Sequence, residues 1–221
     1  MEKKLVIGAL VSGSGSNLQS IIDSIEAQKL NATIGIVVSN VSDAFALKRC
    51  EKHGIKTAVV DHRLYATRDA FEEVLLETMR EASVELVVMA GFMRVLSDHF
   101  LDAFPMKVMN IHPALLPSFK GIHAQKQAFD YGVKFSGCTV HFADSGVDTG
   151  PIIIQSVVPL LQDDTQETFQ QRILEEEHRI YPQAIQLYAQ GRIEVQDRKV
   201  RIKNQEPPVF SFLRNPPLED F

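Results

Sequence analysis

Mostly apolar runs alternate with amphipathic stretches along the first half of the chain. The runs, which are typical of strands buried on both faces of a parallel sheet, lie at residues 5–11, 33–39, 57–60, 86–90 and 107–112. Helical spacing of apolar residues predicts helices that begin near Asn17 and others over residues 43–53, 67–82 and 96–104. Strands that alternate with helices form right-handed crossover units, so we predict a Rossmann-like N-terminal half.

The pattern changes after Pro117. A short helix is predicted near residues 125–131, and residues 134–142 and 151–159 read as strands. The segment that joins these strands is too short for a crossover helix, so we expect an antiparallel pair. The Asp-Thr-Gln-Glu sequence at residues 164–167 resembles a capping box and predicts a helix that runs toward Gln190, kinked near Pro182.

These elements together predict an α/β fold. We expect a mostly parallel, twisted sheet of about seven strands with helices on both faces. Residues 1–195 are predicted to form a single domain. A small hairpin and a Pro-rich segment follow from Arg192, so residues 196–221 are predicted to be a C-terminal hairpin and tail.

Composition narrows the classes of function. The 221 residues are 45% hydrophobic and 23% charged with a net charge of −5, and Lys and Arg are scattered, so we expect small-molecule ligands and no nucleic acid. No apolar run reaches the roughly 20 residues of a membrane helix, so we expect no membrane. Cys50 and Cys138 are too few for a disulfide scaffold and fit a reducing compartment. We therefore expect a cytoplasmic enzyme that is a monomer or a homodimer.

A glycine-rich loop follows the first predicted strand. Gly13 and Gly15 allow a tight turn, and the helix after it presents unpaired N–H groups to an anion. Ser14, Ser16 and Asn17 add side-chain donors, so a ligand with a phosphate group is plausible. A dinucleotide fingerprint would need a glycine at Leu18, and a P-loop would need Gly-Lys-Ser/Thr, so neither motif fits. A tight turn with a Ser or Asn cap is the alternative.

Asn110 and His112 are the candidate catalytic residues on the fifth predicted strand. Alternation of side chains places both on one face, and Pro113 ends the ladder beside them, at the carboxyl end where α/β sheets carry their chemistry. Asp148 lies in a glycine-framed loop; if it approaches His112, its charge would favour the imidazolium form and raise the pKa. An imidazolium and a carboxamide can stabilise and protonate an oxyanion, which suggests acyl or formyl transfer to an amine of the substrate.

Other chemistries lack support in the sequence. There is no Gly-x-Ser-x-Gly nucleophile elbow for an esterase. The His and Cys residues are not spaced as metal ligands, so we expect no metal. Taken alone, His112 could equally be a packed histidine, and a loop carboxylate such as Asp148 could be a solvated turn former.

Several motifs carry a family resemblance. They are Asn-Ile-His-Pro at residues 110–113, Leu-Pro-Ser-Phe at 116–119, Gly-Cys-Thr-Val-His-Phe at 137–142, Asp-Thr-Gly-Pro at 148–151, Ser-Gly-Ser-Gly-Ser-Asn-Leu at 12–18 and Ala-Gly-Phe-Met-Arg at 90–94. Over nearly the whole chain, to about residue 195, the sequence resembles phosphoribosylglycinamide formyltransferases. The resemblance implies transfer of a formyl group from the co-substrate 10-formyltetrahydrofolate to the amine of glycinamide ribonucleotide, on the route to purines.

The resemblance also implies roles for individual residues. Asn110 and His112 would stabilise and protonate the tetrahedral oxyanion, and Asp148 would orient His112 or a water that carries the proton. The residues implied to bind the ribonucleotide are Gly15, Ser16, Asn17, Pro113 and Glu177. The residues implied to bind the folate are Arg68, Met93, Arg94, Val95, Leu96 and Asn110. Without the resemblance, Glu177 would read as part of a solvated run of three glutamates.

Two rival functions stay open. A formyltetrahydrofolate hydrolase would share the Asn–His–Asp set but use water as the acceptor; such enzymes usually carry an N-terminal regulatory domain, which we do not expect here. The phosphate loop would also have no use in a hydrolase. A non-catalytic nucleotide-binding domain would explain the loop and leave Asn110, His112 and Asp148 without a role.

Overall fold

The computed structural model describes residues 3–205 and 213–215. The strands are β1 (Leu5–Val11), β2 (Ala32–Ser39), β3 (Thr57–Val59), β4 (Leu86–Met89), β5 (Val108–His112), β6 (Phe135–Phe142), β7 (Ile152–Pro159), β8 (Ile193–Gln196) and β9 (Lys199–Ile202). The helices are α1 (Ser16–Glu26), α2 (Phe45–Lys52), α3 (Arg68–Glu81), α4 (Asp98–Ala103), α5 (Ala124–Tyr131) and α6 (Gln166–Ala189), with a short 3₁₀ turn at His62–Leu64.

Seven strands form one sheet in the order β3-β2-β1-β4-β5-β6-β7. The first five are parallel, whereas β6 and β7 run antiparallel to their neighbours. The α/β fold with a mostly parallel sheet is therefore confirmed. The chain leaves β1 toward β2 on one side and later returns to β4 on the other, so the loops after β1 and β4 diverge from one crevice.

Side chains that alternate along the strands contribute to two apolar layers, one on each face of the sheet. On one face, Ile7 and Val11 of β1 pack with Leu18 of α1 and Ile173 of α6. On the other face, Leu10 packs in a layer with residues of α3 and α4. Helices therefore cover both faces of the sheet, as the sequence pattern predicts. None of the helices within residues 3–205 and 213–215 is long and apolar enough to cross a membrane.

Tyr181 of α6 contacts the backbones of two neighbouring strands. Its hydroxyl lies 3.1 Å from the Met89 carbonyl of β4 and 3.0 Å from the Met109 carbonyl of β5. The side chain is fully buried, and burial raises its pKa well above the usual value. The contact ties α6 to the backbones of β4 and β5 beneath the site.

The predicted capping box of α6 is displaced by one residue. Thr165, not Asp164, is the N-cap: its hydroxyl accepts a hydrogen bond from the Thr168 N–H, and its own N–H donates to the Thr168 hydroxyl. Asp164 instead accepts two hydrogen bonds from the Arg172 guanidinium. This pairing is the main reason why the pKa of Asp164 lies well below the usual range. Pro182 lies inside α6, as expected.

The predicted C-terminal hairpin is present. β8 and β9 pair antiparallel, and β9 contacts β7. The boundary expected between residues 195 and 196 falls inside β8. Most of the Pro-rich tail lies outside the described residues.

Candidate active site

The carboxyl end of β5 presents two polar side chains among buried apolar ones. Asn110 is half-buried and His112 is 4% exposed, and both line a cleft above the strand end. Their two-residue spacing gives them the same face of the strand. The structure therefore confirms the predicted placement of this pair.

Asp148 reaches this pair from the loop between β6 and β7. Its backbone adopts the left-handed conformation, with φ of 51°. The carboxylate oxygen Oδ2 accepts a hydrogen bond of 2.8 Å from the Gly121 N–H and lies 3.3 Å from His112 Nδ1. A side chain at Gly150 would collide with the Phe142 carbonyl, so glycine is needed for the loop to close in this way. The folded loop thus brings Asp148 to His112.

His112 is held at both ring nitrogens. Nε2 lies 2.8 Å from the Phe119 carbonyl, which can only accept a hydrogen bond, so Nε2 carries a proton. Burial lowers the pKa of His112, and the nearby charge of Asp148 opposes this only in part. Asp148 acts on the pKa of His112 in the expected direction, but burial outweighs it and the net pKa is lowered, because the sequence pattern does not show how deeply His112 is buried.

His141 belongs to the same cluster, and the sequence pattern did not single it out. It lies directly opposite Asn110 across the β5–β6 pair, is 2% exposed, and places Nε2 3.2 Å from Asn110 Nδ2 and 3.6 Å from Asp148 Oδ1. Burial acts to raise the pKa of Asp148, but the hydrogen bonds from His141 and Gly121 together hold it below the usual value. The quoted motif at residues 137–142 contains His141, but its role depends on antiparallel pairing with β5.

The glycine-rich loop after β1 forms an open helix N-terminus. Gly15 has φ of 68°, and a Cβ atom there would lie 2.6 Å from Cβ of Ala46. The loop carbonyls are bonded to α2: Gly13 accepts from the Ala46 N–H at 3.0 Å, and Ser14 accepts from Arg49 Nε at 2.9 Å. No side chain caps α1, so a Ser or Asn cap is not formed. The N–H groups of its first turn are available to an anion.

Asn17 and Glu177 form a buried pair beside this helix end. Asn17 Nδ2 donates to Glu177 Oε2 at 2.7 Å, and the two side chains belong to residues that are 8% and 5% exposed. Burial raises the pKa of Glu177 to about 7, and the hydrogen bond from Asn17 acts in the opposite direction. Glu177 is therefore not part of a solvated face, contrary to its local sequence pattern.

Two cavities meet at the end of β5. The first has a volume of about 590 Å³ and contains Asn110, His112 and Asp148 together with the predicted folate-binding residues Met93, Arg94, Val95 and Leu96; we call it the folate cleft. The second has a volume of about 520 Å³ and contains the predicted ribonucleotide-binding residues Gly15, Ser16, Asn17, Pro113 and Glu177; we call it the anion cavity. Both cavities share wall residues, among them Met93, Ile111 and Pro113. Two ligands bound in them would meet beside His112.

Arg68 differs from the other predicted folate-binding residues. It lines neither cavity. Its Nη2 donates to the Val95 carbonyl at 2.7 Å, so Arg68 contacts the backbone of a residue in the wall of the folate cleft. The described residues also contain no group of three or more His, Cys, Asp or Glu that could hold a metal ion.

Comparisons with known proteins identify the family of this chain. A family model described as "Formyl transferase" matches residues 3–185. The phosphoribosylglycinamide formyltransferase of Escherichia coli is 37% identical over 202 residues, which cover 91% of this chain and 95% of that protein. The trifunctional purine biosynthetic protein adenosine-3 of Bos taurus is 47% identical over 191 residues, which cover 86% of this chain but only 19% of that longer protein.

The fold comparison gives the same family. The crystal structure of glycinamide ribonucleotide transformylase 1 from Symbiobacterium toebii is similar with a TM-score of 0.89 and 46% sequence identity. The match covers 91% of this chain and 95% of that one. The chain therefore belongs to the formyl transferase family.

Proposed function

We propose that this chain transfers the formyl group of 10-formyltetrahydrofolate to the amine of glycinamide ribonucleotide, a reaction of purine biosynthesis. The observation that supports this most directly is the junction of the two cavities. A large cleft lined mainly by apolar groups suits a folate, and a cavity with an open helix N-terminus suits the ribonucleotide phosphate. His112 and Asn110 lie where the formyl group and the amine would meet.

The reaction requires charge stabilisation and proton transfer. When the amine nitrogen attacks the formyl carbon, the formyl oxygen develops negative charge; we propose that the Asn110 carboxamide stabilises it by donating a hydrogen bond and that His112 protonates it, and the oxygen gives this proton back when the carbonyl re-forms. The amine loses a proton, and N10 of the folate gains one as its bond to the formyl carbon breaks. His112, paired with Asp148 at 3.3 Å, is the group that we propose moves these protons.

The anion cavity favours this transfer over hydrolysis of the formyl donor. A hydrolase uses water as its acceptor and has no need of a phosphate site beside the catalytic pair. In this chain Gly15, Ser16 and Asn17 border a cavity that shares its wall with the folate cleft. The rival hydrolase and a non-catalytic binding domain therefore explain less of the site.

One assay separates the three functions. The protein is incubated with 10-formyltetrahydrofolate, with and without glycinamide ribonucleotide, and tetrahydrofolate release is measured. We expect release to depend on the ribonucleotide and the formylated ribonucleotide to form in equal amount. Release at the same rate without the ribonucleotide would identify a hydrolase, and no release under either condition would identify a binding domain.

Compartment and assembly belong to the same proposal. Cys50 and Cys138 are both free and buried, and burial raises the pKa of the Cys50 thiol to about 11. Unpaired, protonated thiols are compatible with the reducing cytoplasm. We propose a monomer or a homodimer, to be determined by sedimentation equilibrium, and small molecules as the only ligands of the site.

A further inference from the structure

A buried carboxylate lies behind the folate cleft. Glu72 of α3 is 1% exposed, unlike its neighbour Glu73, which is exposed to solvent at 44% of its side chain. A carboxylate without water is stable only when donors surround it. Arg68 Nε donates at 3.0 Å, the Ser97 N–H donates at 2.9 Å, and the Ser97 hydroxyl makes a third contact.

Ser97 binds Glu72 at the expense of a more usual contact. It occupies the N-cap position of α4, where a serine hydroxyl normally accepts a hydrogen bond from the first turn of its own helix. Here the hydroxyl points to Glu72 and caps nothing. The start of α4 is thus fixed to α3 rather than stabilised locally.

Arg68 extends this contact to the wall of the cleft. Its guanidinium is held by Glu72 through Nε, and its Nη2 donates to the Val95 carbonyl at 2.7 Å. Residues 95–97 are therefore held to Glu72 directly at Ser97 and indirectly at Val95. Val95 and Leu96 both line the folate cleft.

The opposite end of the same loop is held by the glycine-rich loop. The Met93 N–H donates to Ser12 Oγ at 2.9 Å. Met93 and Val95 are exposed, at 71% and 50%, so apolar packing holds them less than it holds buried Leu96. Hydrogen bonds at Met93, Val95 and Ser97 consequently define the course of the loop.

We propose that Glu72 is a positioning residue that sets the wall of the folate cleft at residues 93–97 through Arg68 and Ser97. The identity of the ligand rests on the function proposed above, whereas the effect on the wall does not. A wall held in one conformation before binding loses less conformational freedom when the ligand binds. Glu72 itself lines neither cavity, so its effect on binding passes through the loop.

The test compares two neighbouring carboxylates of α3. Glu72→Gln removes the buried charge, and Glu73→Gln is the matched control, because within the described part of the chain Glu73 pairs only with the exposed side chains of Arg80 and His99. Calorimetric titration with tetrahydrofolate and with glycinamide ribonucleotide measures the two affinities. We expect Glu72→Gln to weaken tetrahydrofolate binding about ten-fold and to leave ribonucleotide binding within about two-fold, with no change for Glu73→Gln.

Hydrogen exchange tests the wall without any ligand. In the unliganded protein, we expect the amides of residues 93–97 to exchange faster in Glu72→Gln than in Glu73→Gln. Ser97→Ala, which retains the Ser97 N–H, should produce both effects to a smaller degree. The double variant Glu72→Gln/Ser97→Ala should change binding by less than the sum of the two single effects, since both act through one contact.

Three results would overturn the proposal. The first is unchanged exchange and unchanged tetrahydrofolate affinity in Glu72→Gln. The second is an equal loss of both ligands, which would assign Glu72 to the fold as a whole. The third, decisive if Glu72→Gln does not fold, is the absence of any effect in Ser97→Ala. If the unmodified protein itself fails to bind tetrahydrofolate, the proposed function fails, and the exchange measurement alone decides the role of Glu72.

Discussion

Glu177 shows how a single buried side chain makes stability depend on pH. Its pKa is raised from 4.5 to about 7 because it is buried. Between pH 4.5 and pH 7, the carboxyl therefore carries a proton in the folded protein and has lost it in the unfolded chain. The stabilising effect is complete below pH 4.5 and is lost as the pH rises through 7. Above pH 7 the folded state retains an ionised, buried carboxylate.

We therefore predict that Glu177→Gln stabilises the protein at alkaline pH. The difference in unfolding free energy between variant and unmodified protein should grow from about 1 kcal/mol at pH 5 to about 3 kcal/mol at pH 8. Urea unfolding across this range measures it, and Glu175→Gln, on the exposed side of α6, is the control. Parallel stability curves would contradict the raised pKa.

The proposed proton-transfer pair, His112 and Asp148, gives a second prediction at the residue scale. His112→Ala and Asp148→Asn should each reduce the turnover rate by at least ~100-fold, because each removes one half of the proton-transfer pair. His53→Ala, a residue that lines neither cavity, should have little effect. A turnover rate near that of the unmodified protein in either variant would exclude that residue from the mechanism.

Sequence reasoning reached some of these residues and not others, for physical reasons. Asn110 and His112 were predictable because alternation along a strand depends only on local geometry. The contact of Asp148 with His112 and the burial of Glu177 depend on packing between segments distant in sequence. His141 was missed because strand pairing between β5 and β6 was not predicted.

At the scale of elements, Tyr181 ties α6 to β4 and β5. Tyr181→Phe keeps the ring in place and removes the hydroxyl that contacts the Met89 and Met109 carbonyls. We expect a loss of about 1–3 kcal/mol in unfolding free energy, the cost of leaving a buried polar group unpaired. Thermal and urea unfolding measure the change, with Tyr188→Phe, whose ring packs against Phe142, as the control. Equal stabilities for the two variants would contradict a role for this hydroxyl.

The ends of elements were predicted correctly for some elements and not for others. Strand β1 was predicted at residues 5–11 and lies at Leu5–Val11, because a buried strand has an apolar pattern along its whole length. The start of α6 was misplaced by one residue because Asp164 and Thr165 can both cap a helix. Arg172, eight residues further along the chain, pairs with Asp164 and leaves Thr165 as the cap.

At the scale of the whole molecule, the proposed function assigns the two substrates to different cavities. Asn17→Ala alters only the anion cavity and should raise the KM for the ribonucleotide several-fold more than the KM for the folate. Val147→Ala alters only the folate cleft and should do the reverse, through lost apolar contact. Initial rates with each substrate varied in turn measure both effects. Equal changes in the two KM values would contradict the division.

The fold class was predictable in full because strand and helix periodicities alternate regularly. The position of Arg68 was not, since the family resemblance implies contact with the folate and the structure places its guanidinium on Val95 and Glu72. The cavities themselves depend on how the loops after β1 and β4 and the loop between β6 and β7 come together. No local pattern describes that meeting.

The shared wall between the cavities has a consequence for an idle enzyme. When only the formyl donor is bound, the empty anion cavity leaves water with access to the formyl carbon beside His112. Slow hydrolysis of the formyl donor is therefore expected when the amine substrate is scarce. If the proposed function holds, bound ribonucleotide would exclude this water, so hydrolysis of the formyl donor should fall as the ribonucleotide concentration rises.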